Sequence, residues 1–155
     1  MEIEFDKEKI NFEEELYTKE IENLILESHN LDIIDRKLRF LIDDKKHLEV
    51  DVVLNTKTIN KGMLRLVGIE LKESDLAKAV SQACVRRKYF NYFYIVINRS
   101  VRSIVGWLFN DHNLFNTVKV YGIGIISTID NVVVLQSKFF SVFTLKYLNI
   151  IVGEE

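Results

Sequence analysis

The stretch Leu66-Val67-Gly68-Ile69-Glu70-Leu71-Lys72 decides how this chain is read. Its apolar, β-prone residues predict a short buried strand. In a strand, positions two apart share a face, so Glu70 and Lys72 point the same way. Burying an acid and an amine side by side costs desolvation energy unless something binds there. Upstream, Glu49-Val50-Asp51-Val52-Val53 alternates carboxylates with apolar residues in a second strand-like run. Two adjacent strands would bring Asp51, Glu70 and Lys72 together. Oxygen ligands for a divalent cation would then lie beside an amine, a set suited to phosphodiester hydrolysis.

Working outward, residues 38–42 and 48–54 are strand-like runs joined by Asp43-Asp44-Lys45-Lys46, a polar tetrapeptide suited to a hairpin loop. Residues 55–61 read as a second polar turn before a third strand at 63–71. Residues 11–27 predict the first helix, with Asn11 as N-cap and Glu13, Glu14 and Glu15 in its first turn, where the helix dipole favours anions. Residues 74–89 predict a second helix capped by Ser74, with Leu76, Ala79, Val80, Ala83 and Val85 as a small-residue face able to pack on a sheet. An aromatic, β-branched strand follows at 92–98. Strand, helix and strand make a βαβ unit, normally parallel.

Further on, 101–109 reads as a helix carrying Trp107, 111–116 as a loop, and 118–127 and 132–136 as strands around a turn. The apolar segment 139–152 fits either helical or extended structure. The fold expected is α/β: a mixed central sheet flanked by helices, with an αβββαβ core over about residues 12–97 and C-terminal additions over about 98–155. At 155 residues this is one domain.

Composition narrows the functional classes. A single cysteine, Cys84, excludes an internal disulfide and a cysteine-based zinc cage. His29, His47 and His112 follow no zinc spacing. With no signal pattern and no apolar run long enough for a bilayer, a cytoplasmic protein without membrane contact is expected. The net charge of −2 argues against a general nucleic-acid coat protein. It leaves room for a nuclease, whose clustered carboxylates are compensated once a cation binds.

A helix glutamate, then Glu49-Val50-Asp51, a gap, Gly68-Ile69-Glu70-Leu71-Lys72, and a helix containing Gln82 together resemble the PD-(D/E)XK nuclease superfamily. The RecB-like and archaeal Holliday-junction-resolvase-like branches are nearest in pattern. The segment Phe12-Glu13-Glu14-Glu15-Leu16 is similar to the Glu-X-Glu-Leu opening of the resolvase first helix. The likeness runs from about Phe12 to Ile97. No proline precedes Asp51, and where the RecB-like branch often has Gln-X-X-X-Tyr, this chain has Arg86 after Gln82.

The resemblance implies a restriction-endonuclease-like core and a Mg²⁺- or Mn²⁺-dependent deoxyribonuclease, acting on branched, damaged or single-stranded DNA. Asp51 and Glu70 would be the principal metal ligands, with the Leu71 backbone carbonyl and Glu13 completing the set. Lys72 would orient the attacking water and offset phosphate charge, and Gln82 would support the site or touch the phosphate. Arg86, Arg87 and Lys88, with Arg99 and Arg102 downstream, would hold the DNA backbone. The C-terminal apolar segment would suit a homodimer interface. The alternatives are ordinary ones: Glu70 and Lys72 as a cross-strand ion pair, the basic run as a helix end answering its dipole, or a catalytically inactive DNA-binding or assembly module with the same fold.

Overall fold

The computed structural model describes residues 12–142 apart from Asp44. Within them lies a six-stranded mixed sheet flanked by helices, so the chain is α/β. The strands are β1 (Leu31–Asp43), β2 (Leu48–Thr58), β3 (Leu64–Lys72), β4 (Tyr92–Ile97), β5 (Gly124–Ser127) and β6 (Val132–Leu135). They lie side by side in chain order. β1, β2 and β3 form an antiparallel meander, β3, β4 and β5 run parallel, and β6 returns antiparallel.

Four α-helices cover the sheet: α1 (Lys19–His29), α2 (Leu76–Arg86), α3 (Val101–Asn110) and α4 (His112–Tyr121). α1 closes one face, where Ile21 and Ile25 pack against Val52, Leu54, Val67 and Ile69. The other helices close the opposite face. There Leu76, Ala79, Val80 and Ala83 of α2, Ile104 and Leu108 of α3, and Leu114 and Val118 of α4 meet Leu66, Phe93, Ile95 and Ile125. Both parallel crossovers, β3–α2–β4 and β4–α3–α4–β5, therefore cover the same side. Each fully buried branched side chain contributes about 1.5–3 kcal/mol, so the apolar sandwich around β3 and β4 dominates stability. Gly68 is part of that packing: a Cβ there would meet the rings of Phe93 and Phe90 at 2.7–2.8 Å.

Several expected boundaries move, each for a local reason. The single helix over 11–27 is instead a short 3-10 turn at Phe12–Leu16 followed by α1. Thr18 has extended backbone and its hydroxyl accepts the Ile21 N–H at 3.3 Å, so the α-helix begins there. Asn11, the expected cap, lies outside the described residues. α1 ends on Asn30 in the left-handed region, and β1 starts at once, well before residue 38. β2 runs to Thr58 rather than turning at Asn55.

α2 is capped by Asp75, whose carboxylate accepts the Lys78 N–H at 3.0 Å, and not by Ser74. Ser74 serves by its carbonyl, which accepts from Arg99 Nε at 2.6 Å. Val85, expected on the packing face of α2, is exposed. The expected loop at 111–116 is the start of α4. Asp111 caps it through the Leu114 N–H at 3.0 Å, and Gly122 at φ 63° ends it. β5 is accordingly only four residues long. Among the described residues no helix is long and apolar enough to cross a membrane. Beyond Val142 the apolar C-terminal segment lies outside the described residues.

Candidate functional site

The β2–β3 ladder runs from Lys57↔Leu64 to Val52↔Ile69 and stops. The parallel β3–β4 ladder continues two residues further than Glu70, to Lys72↔Ile97. β3 is thus held firmly on its β4 side while a gap opens towards β2. Asp51 stands at the mouth of that gap. The backbone around it is irregular: Val50 packs in the α2-side core with Val53, whereas Val52 and Leu54 pack on the α1 side. Strict alternation would put Val50 with Val52. Across on β1, Arg39 sits between the pairs Leu38↔Val52 and Phe40↔Val50 with φ at 51°, a left-handed conformation that is costly for a non-glycine residue. Strand regularity is broken on both sides of Asp51.

The break frees the Leu71 N–H from the sheet, and the Asp51 carboxylate takes it, with Oδ2 at 2.8 Å. The N–H and C=O of one residue in a strand point to the same neighbour. The Leu71 carbonyl therefore faces the gap beside Asp51, where the β2–β3 ladder has ended. Glu70 shares its side of β3 with Leu66, on the α2 face. It is only 8% exposed. From α2, Arg86 Nε stands 3.9 Å from Glu70 Oε1.

Of the four early glutamates, Glu13 is the one that reaches this end of β3: its Oε2 accepts the Glu73 N–H at 3.0 Å. Glu14 is buried in an ion pair with Arg39, while Glu15 and Glu20 are exposed. Gln82 lies one helical turn before Arg86, and its side-chain oxygen is buried with no hydrogen-bond partner among the described residues. Lys72, half-buried, completes the group.

The electrostatics are those of buried carboxylates, desolvation being the largest cause of both shifts and neighbouring acids adding to it. Burial pushes the Asp51 carboxyl up to about 6, with Glu13 and Glu49 adding repulsion while the Leu71 N–H and Lys72 oppose it. Burial pushes Glu70 up to about 8, Asp51 and Glu13 adding to the effect while Arg86 and Lys72 oppose it. The Asp51 charge thus acts on Glu70, and Lys72 acts on both. A cation placed among these oxygens would lower both values.

Hard oxygen donors are what Mg²⁺ and Mn²⁺ select. With Oδ2 on Leu71 and Oε2 on Glu73, Asp51 and Glu13 each keep one oxygen to offer. Among the described residues no three His, Cys, Asp or Glu side chains are drawn into a ready ligand cluster. Mg²⁺ commonly takes only one or two protein carboxylates, filling its shell with water and substrate phosphate, so this donor set suits it.

The basic run of α2 divides by environment. Arg87 is 1% exposed, and its guanidinium donates to the carbonyls of Tyr121, Phe90, Asn91 and Lys138 while lying over the Phe140 ring. It is a core crosslink and cannot meet a DNA backbone. Lys88 is exposed beside Tyr89. Arg99 is committed to Ser74, Ser103 and the face of Trp107, and Arg102 is exposed. Arg86 belongs to the acidic site. The available signal for that was its four-residue spacing from Gln82, which puts both on one helix face.

No protein-family model and no curated protein matches the chain. A solved structure, described as SPO1766 protein of unknown function from Silicibacter pomeroyi, superposes with a TM-score of 0.50 at 11% identity, covering 83% of this chain and 74% of that one. This is a likeness of fold alone.

Proposed function

We propose that this chain is a metal-dependent endonuclease of PD-(D/E)XK type that hydrolyses DNA phosphodiester bonds with Mg²⁺ or Mn²⁺. One observation carries the reading: where the β2–β3 ladder ends, the Asp51 charge acts on Glu70, both carboxyl pKa values are raised, and Lys72 acts on both. Structural ion pairs seldom leave two carboxylates so under-compensated; catalytic sites often do. The order of elements around them, α1–β1–β2–β3–α2–β4, agrees with the αβββαβ core that the resemblance implies.

In this reading Asp51, Glu70 and the Leu71 carbonyl hold the ion, and Glu13 joins them directly or through water. Such an ion, when bound there, would polarise the scissile phosphate and stabilise the charge that builds on it. Lys72 orients the attacking water and offsets negative charge at the phosphate. Gln82 offers its unpaired amide oxygen to a water or ligand of the site. Branched, damaged or single-stranded DNA is the proposed substrate class, with a homodimer as the form that cuts both strands.

The test is cleavage of plasmid, hairpin and junction DNA with Mg²⁺, Mn²⁺ or EDTA. Cutting should require the metal and fall at least about 100-fold in Asp51→Ala and Lys72→Ala. Cutting that survives either substitution contradicts the reading.

One observation favours a second reading, a catalytically inactive DNA-binding or assembly module: the Arg86 guanidinium faces Glu70 and partly answers its charge without a metal. DNA binding with no cutting in any metal would select it.

A further inference from the structure

The Arg86 side chain is fixed at three points. Nε donates to the Glu49 carbonyl at 2.7 Å, Nη1 donates to the Gln82 carbonyl at 2.9 Å, and Nε lies 3.9 Å from Glu70 Oε1. These contacts tie the last turn of α2 to the stretch of β2 beyond the end of its ladder with β3, and to the carboxylate of β3. Nη2 has no hydrogen-bond partner among the described residues, and it is not one of the buried unpartnered atoms. A guanidinium has five N–H groups in a rigid plane, so holding Nε and Nη1 also fixes the direction of Nη2. Nε sets the group beside Glu70, and Nη2 is the nitrogen left to take a phosphate oxygen if the site holds DNA. Arg87 and Lys88, its neighbours in sequence, are respectively buried and remote from these contacts.

We propose that Arg86 is the phosphate-positioning residue of this site, gripping β2 through Nε and α2 through Nη1, and a non-bridging phosphate oxygen of DNA through Nη2. The proposal rests on the nuclease reading for the identity of its ligand. Its geometry explains why an arginine is suited here. Lysine supplies one ammonium and cannot hold the Glu49 carbonyl and a phosphate oxygen in fixed directions at once. The anchor also places the positive charge where it attracts phosphate while leaving Glu70 in position.

The experiment compares wild type with Arg86→Gln and Arg86→Lys in three readouts: cleavage kinetics on duplex and junction DNA with Mg²⁺, DNA affinity in Ca²⁺ across a salt series, and thermal melting. Removing one phosphate contact should reduce the slope of log affinity against log salt by about one in Arg86→Gln and leave it unchanged in Arg86→Lys. Both variants should lose about 10- to 100-fold in kcat/KM, Arg86→Lys mainly through kcat because charge is kept and direction lost.

A wild-type salt slope and wild-type kinetics in Arg86→Gln overturn the proposal while the nuclease reading stands. Lower melting with an unchanged slope also overturns it, leaving Arg86 a structural tie. Should Arg86→Gln fail to fold, Arg86→Lys decides, and full kcat/KM in that variant overturns the proposal. Wild-type protein that binds but does not cut, with the slope reduced in Arg86→Gln, removes the catalytic reading and supports the phosphate contact. No cutting and no binding by wild type removes both.

Discussion

At the scale of single residues, the site trades stability for charge. Glu70 has an ordinary value of 4.5 and is raised to about 8 in the fold, so the folded state holds a proton that the unfolded chain has released. Its contribution is full below pH 4.5 and is lost as pH rises towards 8. His29 acts in the opposite sense. Half-buried against Tyr92 and Tyr94, it is lowered by desolvation from 6.5 to about 4, so stability rises with pH across that interval. Between about pH 6.5 and 8 the Glu70 effect is therefore read with least interference. Glu70→Gln should remove the decline in that window and raise stability at pH 8 by about 1–2 kcal/mol, as melting curves at several pH values would show. A decline that persists in the variant would place its origin elsewhere. Gly68 is the second residue with a clear expectation. Gly68→Ala brings a Cβ to 2.7 Å from the Phe93 ring and should cost about 1–3 kcal/mol, measurable by denaturant unfolding.

Elements are joined by a few specific contacts, and Arg87 makes the densest of them. It connects the end of α2 to the end of α4 and to the segment after β6 through carbonyls of Tyr121 and Lys138. Burial lowers its pKa to about 10. Arg87→Met should destabilise the fold by about 2–4 kcal/mol by orphaning those carbonyls, while leaving the salt dependence of DNA binding at its wild-type slope. A reduced slope would return Arg87 to the DNA-contacting surface. Legibility in the sequence varied among elements for physical reasons. β3 and β4 were legible as short apolar runs because they are buried on both faces, and α2 because its apolar stripe packs on the sheet. α4 was hidden: Asn113 and Asn116 suggest a loop, and Val118, Val120 and Tyr121 suggest a strand. Leu114 and Val118, four apart, are its buried residues, and Phe115 packs partly against the same core. The break before α1 was hidden too, since Leu16, Ile21 and Ile25 are all apolar and Thr18 acts by a single capping bond. β1 was read short because its first half, with Asp32, Asp35 and Arg36, lies on a strand with only one sheet neighbour among the described residues.

For the whole molecule, period-two spacing was enough to put Glu70 and Lys72 on one face. What it could not convey was the gap between β2 and β3. That depends on where a ladder ends and on a left-handed residue in a third strand, Arg39, neither of which leaves a mark in local composition. Nor could it divide Arg86 from Arg87, adjacent residues of which one enters the acidic site and the other the core. The sheet explains how a fold with so much buried apolar surface can hold these charged side chains: β4 pairs with β3 as far as Lys72, beyond the last β2–β3 pair at Ile69. The central claim is that Asp51 and Glu70 converge on a hard cation in that opening. Titration of Mn²⁺ into wild type and Asp51→Asn, followed by calorimetry at pH 7.5, tests it most directly. The account predicts saturable binding in wild type, weakened at least about 10-fold by the substitution. Equal Mn²⁺ affinity in the two proteins, or none in wild type, would contradict it.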